Sequence, residues 1–474
     1  MTPTTPEGSG WGNRGAGTSA RRVALDVLRA VQADDAYANL LLPVRIRRAG
    51  LSARDAGFAT ELTYGTIRMI GTYDAIIEAA SGRQVANIEA DVLDVLRLGV
   101  HQLVGMRVPS HAAVSQTVDL TRAIGARRAS GFVNAVLRKV GGRDADGWDA
   151  EITRGLTGDD LLARRWSHPR WVVGALRDAL AAERARDELV ALLAADNVPA
   201  GVTLAALPGL VVPGDVLPDA EAEPPVSPVG VRGVAGDPSR VPAVADGRAR
   251  VQDEGSQLAA LALTRSSAIA PGERWLDLCA GPGGKAALLA AEARVAGATL
   301  VANELVPARA GLVRSALERF TDTVTVTEGD GRRFGRPGEA GPTAPGGYDR
   351  VLLDAPCTGL GALRRRPEAR WRKDPEDVSE LAVVQAELLD AAVASLAPGG
   401  TLAYVTCSPH LAETRGQVDA LLARHGDVLE QLDTASVVRS IAARDPQVAD
   451  GATVQLWPHR IGTDAMFIAL LRRR

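Results

Sequence analysis

The most constraining feature of this chain is a short apolar run that breaks into a glycine-rich turn and resumes as helix-forming residues. The apolar run covers residues 275–278, and three glycines then fall within four positions, at Gly281, Gly283 and Gly284. Residues 286–291 are all alanine or leucine, which favour a helix. This pattern predicts a strand, a tight turn and a helix. Because glycines leave the backbone open and the first helical N–H groups lack partners, we expect the turn to bind a ligand.

The residues that follow the turn indicate which ligand suits it. A second apolar run, 298–302, leads to Glu304, whose carboxylate at a strand end can accept hydrogen bonds from both ribose hydroxyls. The glycines are closer together than in the G-x-G-x-x-G of dinucleotide sites. Ala286 after Lys285 supplies no hydroxyl for the magnesium of a P-loop. S-adenosylmethionine, which has no phosphate, fits better, and a structural turn without a ligand is the alternative.

The whole chain sets the broad class. Its 474 residues are enough for about three domains, and a hydrophobic content of 46% is typical of a globular protein. It has no run of about 18 apolar residues and no apolar segment in residues 1–17, so we expect neither membrane nor secretion and predict a cytoplasmic protein. The net charge of −3 excludes a uniformly basic surface, so nucleic-acid binding must come from local patches.

The chain is predicted to be multidomain. Residues 1–18, rich in Gly, Thr, Ser and Pro, are predicted to be a disordered tail. Residues 19–145 have apolar residues at helical spacing behind Ser19, a capping residue, and predict an all-α domain. Residues 146–250 begin as a small helical connector, and the proline-rich part, 208–242, is either a small α+β module or a long surface linker. The predicted helical segments of the first domain are 37–48, 54–80, 88–106, 111–124 and 127–140.

Residues 251–474 alternate strands and helices in the doubly wound manner. The predicted strands are 275–278, 298–302, 323–327, 348–353, 400–406 and a closing antiparallel pair near 453–457 and 464–470. The predicted helices are 283–293, 307–319, 376–396 and 412–425. With a Pro/Gly-rich loop over 335–347, this pattern is typical of a Rossmann-like α/β methyltransferase sheet.

All three cysteines follow predicted strands of this sheet. Cys279, Cys357 and Cys407 are 78 and 50 residues apart, which excludes a CxxC metal site and fits free thiols in a reducing compartment. Ligands gather at the carboxyl ends of such strands, where Asp330 and Asp354 also fall. Two thiols at neighbouring strand ends suggest covalent catalysis, because a thiolate that adds to carbon 6 of a pyrimidine lets carbon 5 attack a sulfonium methyl group.

Several motifs resemble known families. Residues 106–118 and 131–138 resemble the NusB-like RNA-binding domain. The catalytic half resembles the RNA cytosine-5 methyltransferase family, through the residues 277–285, Glu304, Asp330, the Asp-Ala-Pro-Cys motif at 354–357, the Thr-Cys-Ser motif at 406–408 and residues 458–464. Together they resemble the RsmB (Sun/Fmu) group of 16S ribosomal RNA methyltransferases over residues 19–474.

The resemblance implies roles for individual residues. Cys407 would be the nucleophile, Cys357 would assist product release, and Asp354 would also face the target base. The cofactor, S-adenosylmethionine, would contact Cys279, Ala280, Gly281, Pro282, Gly283, Gly284, Lys285, Glu304, Asp330 and Asp354, with Cys279 in a packing role. The implied partner is 16S ribosomal RNA; we expect a monomer, with no metal and no membrane association. Transfer RNA is an alternative substrate, and a catalytically inert NusB-like RNA-binding protein is an alternative class.

Two segments bear on RNA binding. Residues 364–373 carry six basic side chains around Trp371, and this composition favours a loop that tracks phosphates over a merely solvated one. Residues 202–206 lack the Arg and Asn that are usual in the small RNA-contacting module of the family.

Overall fold

The computed structural model contains two compact units. The first comprises residues up to Arg170 together with Arg366–Glu368, and the second comprises Trp171–Arg365 and Ala369–Arg474. The residues that the structure describes are 16–33, 36–218, 223–335 and 346–474. Most of the predicted tail and loop, residues 1–15 and 336–345, therefore lies outside them. Within the described ranges, no helix is both long enough and apolar enough to span a bilayer.

The first unit is helical, as predicted. Its helices are α1 (Ala16–Ala33), α2 (Ala38–Ala49), α3 (Ala53–Arg68), α4 (Ile70–Ser81), α5 (Ala90–Val100), α6 (Ser110–Ala123), α7 (Ser130–Gly141), α8 (Ala145–Ile152) and α9 (Gly158–Trp166). Val23, Val27 and Leu28 of α1 are buried in the core, as their helical spacing predicts. Because α1 begins at Ala16, Ser19 lies inside the helix, so the predicted cap at Ser19 and the last three residues of the predicted tail are wrong.

The segment 54–80, predicted as one helical stretch, is two helices. α3 ends at Arg68, and Met69 takes φ −104° and ψ 15° before α4 begins. Met69 itself is neither glycine nor proline, and the nearby Gly65 and Gly71 both lie within the helices. Ile67 and Ile76, one on either side of Met69, are both buried, so the break lets two helical faces pack into the same core.

The second unit begins with two helices and a small sheet. The helices are α10 (Arg170–Ala182) and α11 (Leu189–Asp196). The strands β1 (Leu204–Ala206), β2 (Gly230–Val231) and β3 (Ala249–Val251) form an antiparallel sheet in the order β2-β1-β3, with the short helices α12 (Pro213–Val216) and α13 (Pro242–Ala245). The proline-rich region is thus the small α+β module and not the linker.

The large sheet agrees with the predicted Rossmann-like pattern. Its elements are α14 (Glu254–Thr264), β4 (Arg274–Asp277), α15 (Gly284–Ala296), β5 (Thr299–Glu304), α16 (Pro307–Ala316), β6 (Val324–Glu328), β7 (Tyr348–Asp354), α17 (Ala369–Arg372), α18 (Pro375–Ser395), β8 (Leu396–Thr406), α19 (Arg415–His425), β9 (Leu429–Gln431), α20 (Thr434–Ile441), β10 (Thr453–Gln455), α21 (Pro458–Ile461) and β11 (Phe467–Arg473). The strand order is β10-β11-β8-β7-β4-β5-β6, and β9 pairs with β11. The antiparallel finish predicted near 464–470 is β11, which lies between β8 and β10.

Candidate active site

The predicted site residues converge at one edge of the large sheet. β4 through β8 run parallel to one another, so their carboxyl ends lie side by side. Asp277, Glu304 and Asp354 are the last residues of β4, β5 and β7. Asp330 follows β6 by two residues, and Cys407 follows β8 directly. The structure therefore brings the glycine turn, the three predicted carboxylates and the two motif cysteines to the same edge.

Glu304 closes the glycine turn after β4. Its Oε2 accepts a hydrogen bond from the Gly281 amide at 3.0 Å, and its Oε1 accepts one from the Val306 amide at 2.9 Å. Arg309 Nη2 donates to the Gly281 carbonyl at 2.5 Å. A Cβ atom on Gly281 would lie 2.0 Å from Glu304 Oε2, so only glycine lets the carboxylate approach. Gly283, at φ +106°, holds the left-handed conformation at the start of α15 that side-chain-bearing residues rarely adopt.

Asn303, which sequence analysis missed, holds three strand ends together. Its Nδ2 donates to the Leu278 carbonyl at 3.1 Å and the Gly329 carbonyl at 3.0 Å, and its Oδ1 accepts from Thr327 Oγ1 at 3.1 Å. The side chain is buried. The available signal was a lone amide at the end of an apolar run, because a buried amide needs partners close by.

Two buried polar side chains next to the turn make no hydrogen bond of normal geometry within the described part of the chain. They are the carboxylate of Asp277 and the side-chain amide of Gln252. Gln252 faces the turn, since a Cβ on Gly284 would lie 3.9 Å from Gln252 Nε2. Burial raises the pKa of Asp277 to about 8, and Asp354 adds to the rise, against weaker opposing effects of Lys285 and the Cys279 amide. A buried carboxyl in this state is a ready partner for a cation.

These features fit S-adenosylmethionine. The methionine end of that cofactor carries an ammonium group for Asp277 and polar atoms for the amide of Gln252. The oxygens of Glu304 each keep a second lone pair for a ribose hydroxyl. The turn offers backbone without side chains at Gly281 and Gly283, where a nucleoside can approach closely.

Asp330 is engaged by an arginine in this structure. Its carboxylate accepts hydrogen bonds from Arg332 Nε at 2.9 Å, from Arg332 Nη2 at 2.7 Å and from the Arg332 amide at 3.0 Å. The hydrogen bond from Arg332 lowers the pKa of Asp330. Arg332 also donates to Glu387 at 2.9 Å. Asp330 is therefore an ionised carboxylate at the end of β6, and its contact with the cofactor stays a prediction.

The two motif cysteines lie together. Cys357 Sγ is 3.4 Å from Cys407 Sγ, and both residues are half-buried. They meet because β7 and β8 are neighbours, with the Ala355 amide donating to the Val405 carbonyl at 2.9 Å just before the two loops. Gly361 fixes the second loop, since its amide donates to the Cys407 carbonyl at 2.8 Å and a Cβ there would lie 2.1 Å from the Ala465 carbonyl oxygen.

A buried lysine supplies positive charge beside the thiols. Lys285 Nζ donates to Asp354 Oδ2 at 2.7 Å. Burial lowers the pKa of Lys285, but the charge and hydrogen bond of Asp354, followed by the charge of Cys407, outweigh burial and raise it overall. Lys285 is therefore a cation that is paired with Asp354 and whose charge interacts with Cys407.

Cys357 has the opposite surroundings. Its pKa lies well above the usual range, first because of the hydrogen bond with Cys407 and then because of burial and the negative charges of Cys407, Glu413 and Asp354. The two sulfur atoms lie within hydrogen-bond distance, and either of them could be the donor. The two cysteines are not equivalent chemically.

Cys279 is a third kind of cysteine. Burial, with Asp277 and Asp354, raises its pKa strongly, so its sulfur stays protonated. The side chain packs against the core formed by residues such as Leu276 and Leu278. An inert thiol in this position agrees with the predicted packing role.

The carboxylate of Glu413 lies behind the thiols and was also missed. Glu413 is fully buried and accepts hydrogen bonds from Thr358 and Ser408, the residues that follow the two cysteines. The predicted helix 412–425 would have placed Glu413 in a helix, but α19 begins at Arg415 and Glu413 lies in a 3₁₀ turn. No local sequence signal marks it, because its partners are 55 and 5 residues away.

The basic segment 364–373 is not the loop that was predicted. Arg365 donates to Asp253 at 2.7 Å and to Asp464 at 3.1 Å. Arg370 is fully buried and donates to Asn197 at 2.8 Å. Side chains held in this way cannot follow an RNA backbone, so the prediction is wrong for both arginines. The number of basic residues in the segment did not predict these contacts, because the acidic partners of Arg365 are distant in sequence.

Comparisons with known proteins agree with this geometry. The family described as 16S rRNA methyltransferase RsmB/F matches residues 266–472, and the NusB family matches residues 18–141. A protein of Mycobacterium tuberculosis described as a putative methyltransferase is 48% identical over 457 residues, which are 96% of each chain. Ribosomal RNA small subunit methyltransferase B of Pseudomonas putida is 32% identical over 427 residues, 85% of this chain and 89% of its own. The solved structure of PH0851 shares the fold, with a TM-score of 0.76 at 22% identity over 96% of this chain and 98% of its own.

Proposed function

The chain belongs to the RsmB/F family of S-adenosylmethionine-dependent methyltransferases, and we propose that it methylates carbon 5 of a cytosine in 16S ribosomal RNA through a covalent bond from Cys407. The observation that carries the proposal is the 3.4 Å distance between Cys357 Sγ and Cys407 Sγ in two chemically different environments. The ribosomal RNA named for the relatives and the NusB match of residues 18–141 support the choice of substrate.

The cofactor, when bound, supplies an electrophilic methyl group on its sulfonium sulfur. In this chain Glu304 would hold the ribose, Asp277 the ammonium group, and Gln252 the polar methionine end. The turn at Gly281 and Gly283 would receive the nucleoside. Each of these residues lies at the carboxyl end of β4 or β5, or next to the turn.

Cys407 begins the reaction. Its thiolate, favoured by the charge of Lys285 and by a hydrogen bond from the Cys357 thiol, adds to carbon 6 of the flipped cytosine. The carboxylate of Asp354, which is partly exposed and paired with Lys285, can accept a hydrogen bond from the amino group at the edge of the ring and so fix the position of the base. The addition makes carbon 5 nucleophilic, and carbon 5 then takes the methyl group.

Cys357 ends the reaction. Once Cys407 is bonded to carbon 6 it carries no negative charge, so the largest cause of the raised pKa of Cys357 is removed. Cys357 can then give its proton to solvent and, as a thiolate, take the proton from carbon 5. The electron pair of that C–H bond restores the double bond of the ring, and Cys407 leaves carbon 6 as a thiolate. The base thus becomes available only after the nucleophile has acted.

The experiment is methyl transfer from labelled S-adenosylmethionine to 16S ribosomal RNA taken from a strain that lacks this enzyme. Transfer RNA from the same strain is the matched substrate. We expect label in 16S ribosomal RNA and a single new 5-methylcytosine on bisulfite sequencing. Label in transfer RNA alone would show that transfer RNA, and not 16S ribosomal RNA, is the substrate. RNA binding without any label would support a catalytically inert RNA-binding protein.

A further inference from the structure

One carboxylate connects the two loops that carry the thiols. Glu413 Oε1 accepts a hydrogen bond from the Thr358 amide at 2.8 Å. Glu413 Oε2 accepts from Thr358 Oγ1 at 2.5 Å and from Ser408 Oγ at 2.6 Å. Thr358 and Ser408 directly follow Cys357 and Cys407, and their hydroxyl oxygens are 3.1 Å apart. A shift of the Glu413 side chain would therefore move both loops.

A second layer of hydrogen bonds holds Glu413 itself. Gln385 of α18 donates to the Pro356 carbonyl at 2.8 Å and to Glu413 Oε1 at 3.3 Å. Tyr404 of β8 donates to the Glu413 carbonyl at 2.7 Å. Glu413, Gln385 and Tyr404 are fully buried. A carboxylate that accepts several hydrogen bonds in this way is held in one geometry.

We propose that Glu413 is the positioning residue of the two-thiol site, which sets the separation of Cys357 and Cys407 and holds a carboxylate behind the two thiols. The inference rests on the proposed covalent function. Glu413 acts through Thr358 and Ser408 on geometry and through its negative charge on Cys357.

The effect of the charge of Glu413 on Cys357 can be measured separately from its effect on the positions of the two loops. The charged or titratable groups that face Cys357 are Cys407, Glu413 and Asp354, with the Tyr404 hydroxyl nearby. Replacement of Glu413 by Gln keeps the size of the side chain but removes one of the negative charges. It also turns one acceptor into a donor, so the hydroxyls of Thr358 and Ser408 can no longer both donate to that atom.

The first test measures steady-state kinetics of Glu413→Gln. Since a displacement of about 1 Å can cost roughly 100-fold, we expect kcat to fall by about that factor while KM for cofactor and RNA stays nearly constant. Glu380→Gln is the matched control, because Glu380 is exposed on α18, the helix that also carries Gln385. Wild-type kcat in Glu413→Gln would overturn the inference. Absence of methyl transfer and of a covalent adduct in the parent enzyme would instead overturn the proposed function.

The second test reads the charge directly. In a protein that carries Cys279→Ser and Cys407→Ala, Cys357 is the remaining cysteine, and its alkylation rate can be followed against pH. Adding Glu413→Gln should shift the midpoint of this profile to lower pH, because a negative charge near the thiol is gone. A packing role alone would leave the midpoint unchanged, and that result would contradict the inference.

A third pair of variants covers a loss of folding in Glu413→Gln. Ser408→Ala and Thr358→Val each delete one hydroxyl that donates to Glu413 and keep the carboxylate. We expect kcat to fall by about tenfold in each, the effect of a hydrogen bond of about 1.4 kcal/mol, with cofactor affinity unchanged. Lower melting temperatures with wild-type kcat in both variants would reduce Glu413 to a structural residue.

Discussion

The two halves of the active-site edge differ in how their buried polar groups are satisfied. Beside the glycine turn, Asp277 at the end of β4 and Gln252 directly after β3 make no normal hydrogen bond within the described residues. At the ends of β7 and β8, Thr358 and Ser408 are both tied to Glu413. An unsatisfied buried polar group costs about 1–3 kcal/mol, so a cofactor can recover free energy in the first half, whereas the second half is set before a substrate arrives. The first half is arranged to receive a ligand and the second to hold a geometry.

The largest expected effect separates the two halves outright. Cys407→Ala should abolish both the covalent adduct and turnover, because it removes the nucleophile, and should leave cofactor affinity unchanged. Cys357→Ala should still attack and methylate, then stall with RNA attached. Denaturing gels with labelled RNA and calorimetry with the cofactor check this.

The double substitution is the control for the two thiols. Cys357→Ala with Cys407→Ala should show no adduct, because a stalled release requires a prior attack. An adduct that appears with Cys407→Ala and vanishes with Cys357→Ala would reverse the two roles. Loss of cofactor affinity in either single variant would mean that the halves are not separate.

The next effect belongs to the cofactor half. Gly281→Ala should weaken cofactor binding by about 100-fold, because its Cβ would lie 2.0 Å from Glu304 Oε2 and overpacking of this kind costs up to about 3 kcal/mol. Gly311→Ala is the matched control, since a Cβ on this helical glycine would have no contact within 4 Å. Calorimetry measures the cofactor affinity of both variants. Equal affinities would show that cofactor binding does not depend on the present position of Glu304.

Removal of the carboxylate should have a somewhat smaller effect. Glu304→Ala deletes an acceptor for the Gly281 and Val306 amides and for the ribose hydroxyls. Hydrogen bonds to a charged group contribute about 1.5–3 kcal/mol, so we expect roughly tenfold to 100-fold weaker cofactor binding. The alkylation profile of Cys357 should be the same as in the parent. Unchanged cofactor affinity would show that the ribose is not bound at the end of β5.

The smallest expected effect is a pH dependence at Asp277. The folded protein holds this carboxyl with a pKa of about 8, while an unfolded chain releases the proton near pH 4. The contribution of this carboxyl to the free energy of unfolding of the cofactor-free protein should therefore be complete below about pH 4 and should decrease as pH rises towards 8. Asp277→Asn should melt a few degrees higher at pH 8 and no higher at pH 4.

Cofactor binding should show the opposite trend. An ammonium group favours the ionised carboxylate, so affinity in the parent protein should rise with pH up to about 8, and Asp277→Asn should lose that rise along with about tenfold in affinity at pH 8. Melting curves and calorimetry over the same pH series measure both. Parallel pH profiles for the two proteins would remove Asp277 from the cofactor site.

Local sequence patterns predicted most of the fold. The strand, turn and helix from Arg274 to Ala296 were predictable because apolar runs and glycines report the conformation of their own neighbourhood. β9 is three residues long, and Met69 at the break is neither glycine nor proline, while the flanking Gly65 and Gly71 are helical, so neither feature leaves a clear local signal. The α+β module over 204–251 could not be separated from a linker, because its short strands pair across more than 20 residues.

The sequence predicted which strand ends and motifs come together at the candidate site, but not the side chains that support them. The cysteines and Glu304 were found through motifs and strand ends. Asn303 and Glu413 were not, since what matters is their partners on other segments, brought together by the fold. The ion pairs of Arg365 could not be predicted for the same reason, because a sequence shows a charge but not the carboxylate that neutralises it.

The position of β11 has a consequence for the synthesis of the enzyme. β11 pairs with β8 on the side away from β7, and it begins at Phe467, 60 residues after Cys407. While the ribosome makes those residues, β8 has one neighbour and an open edge, which is a site for unwanted pairing. Cys407, the proposed nucleophile, therefore lies beside a fully paired strand only after β11 has been made. A chain interrupted between these points would carry both motif cysteines and every proposed cofactor residue, and still lack the second neighbour of β8.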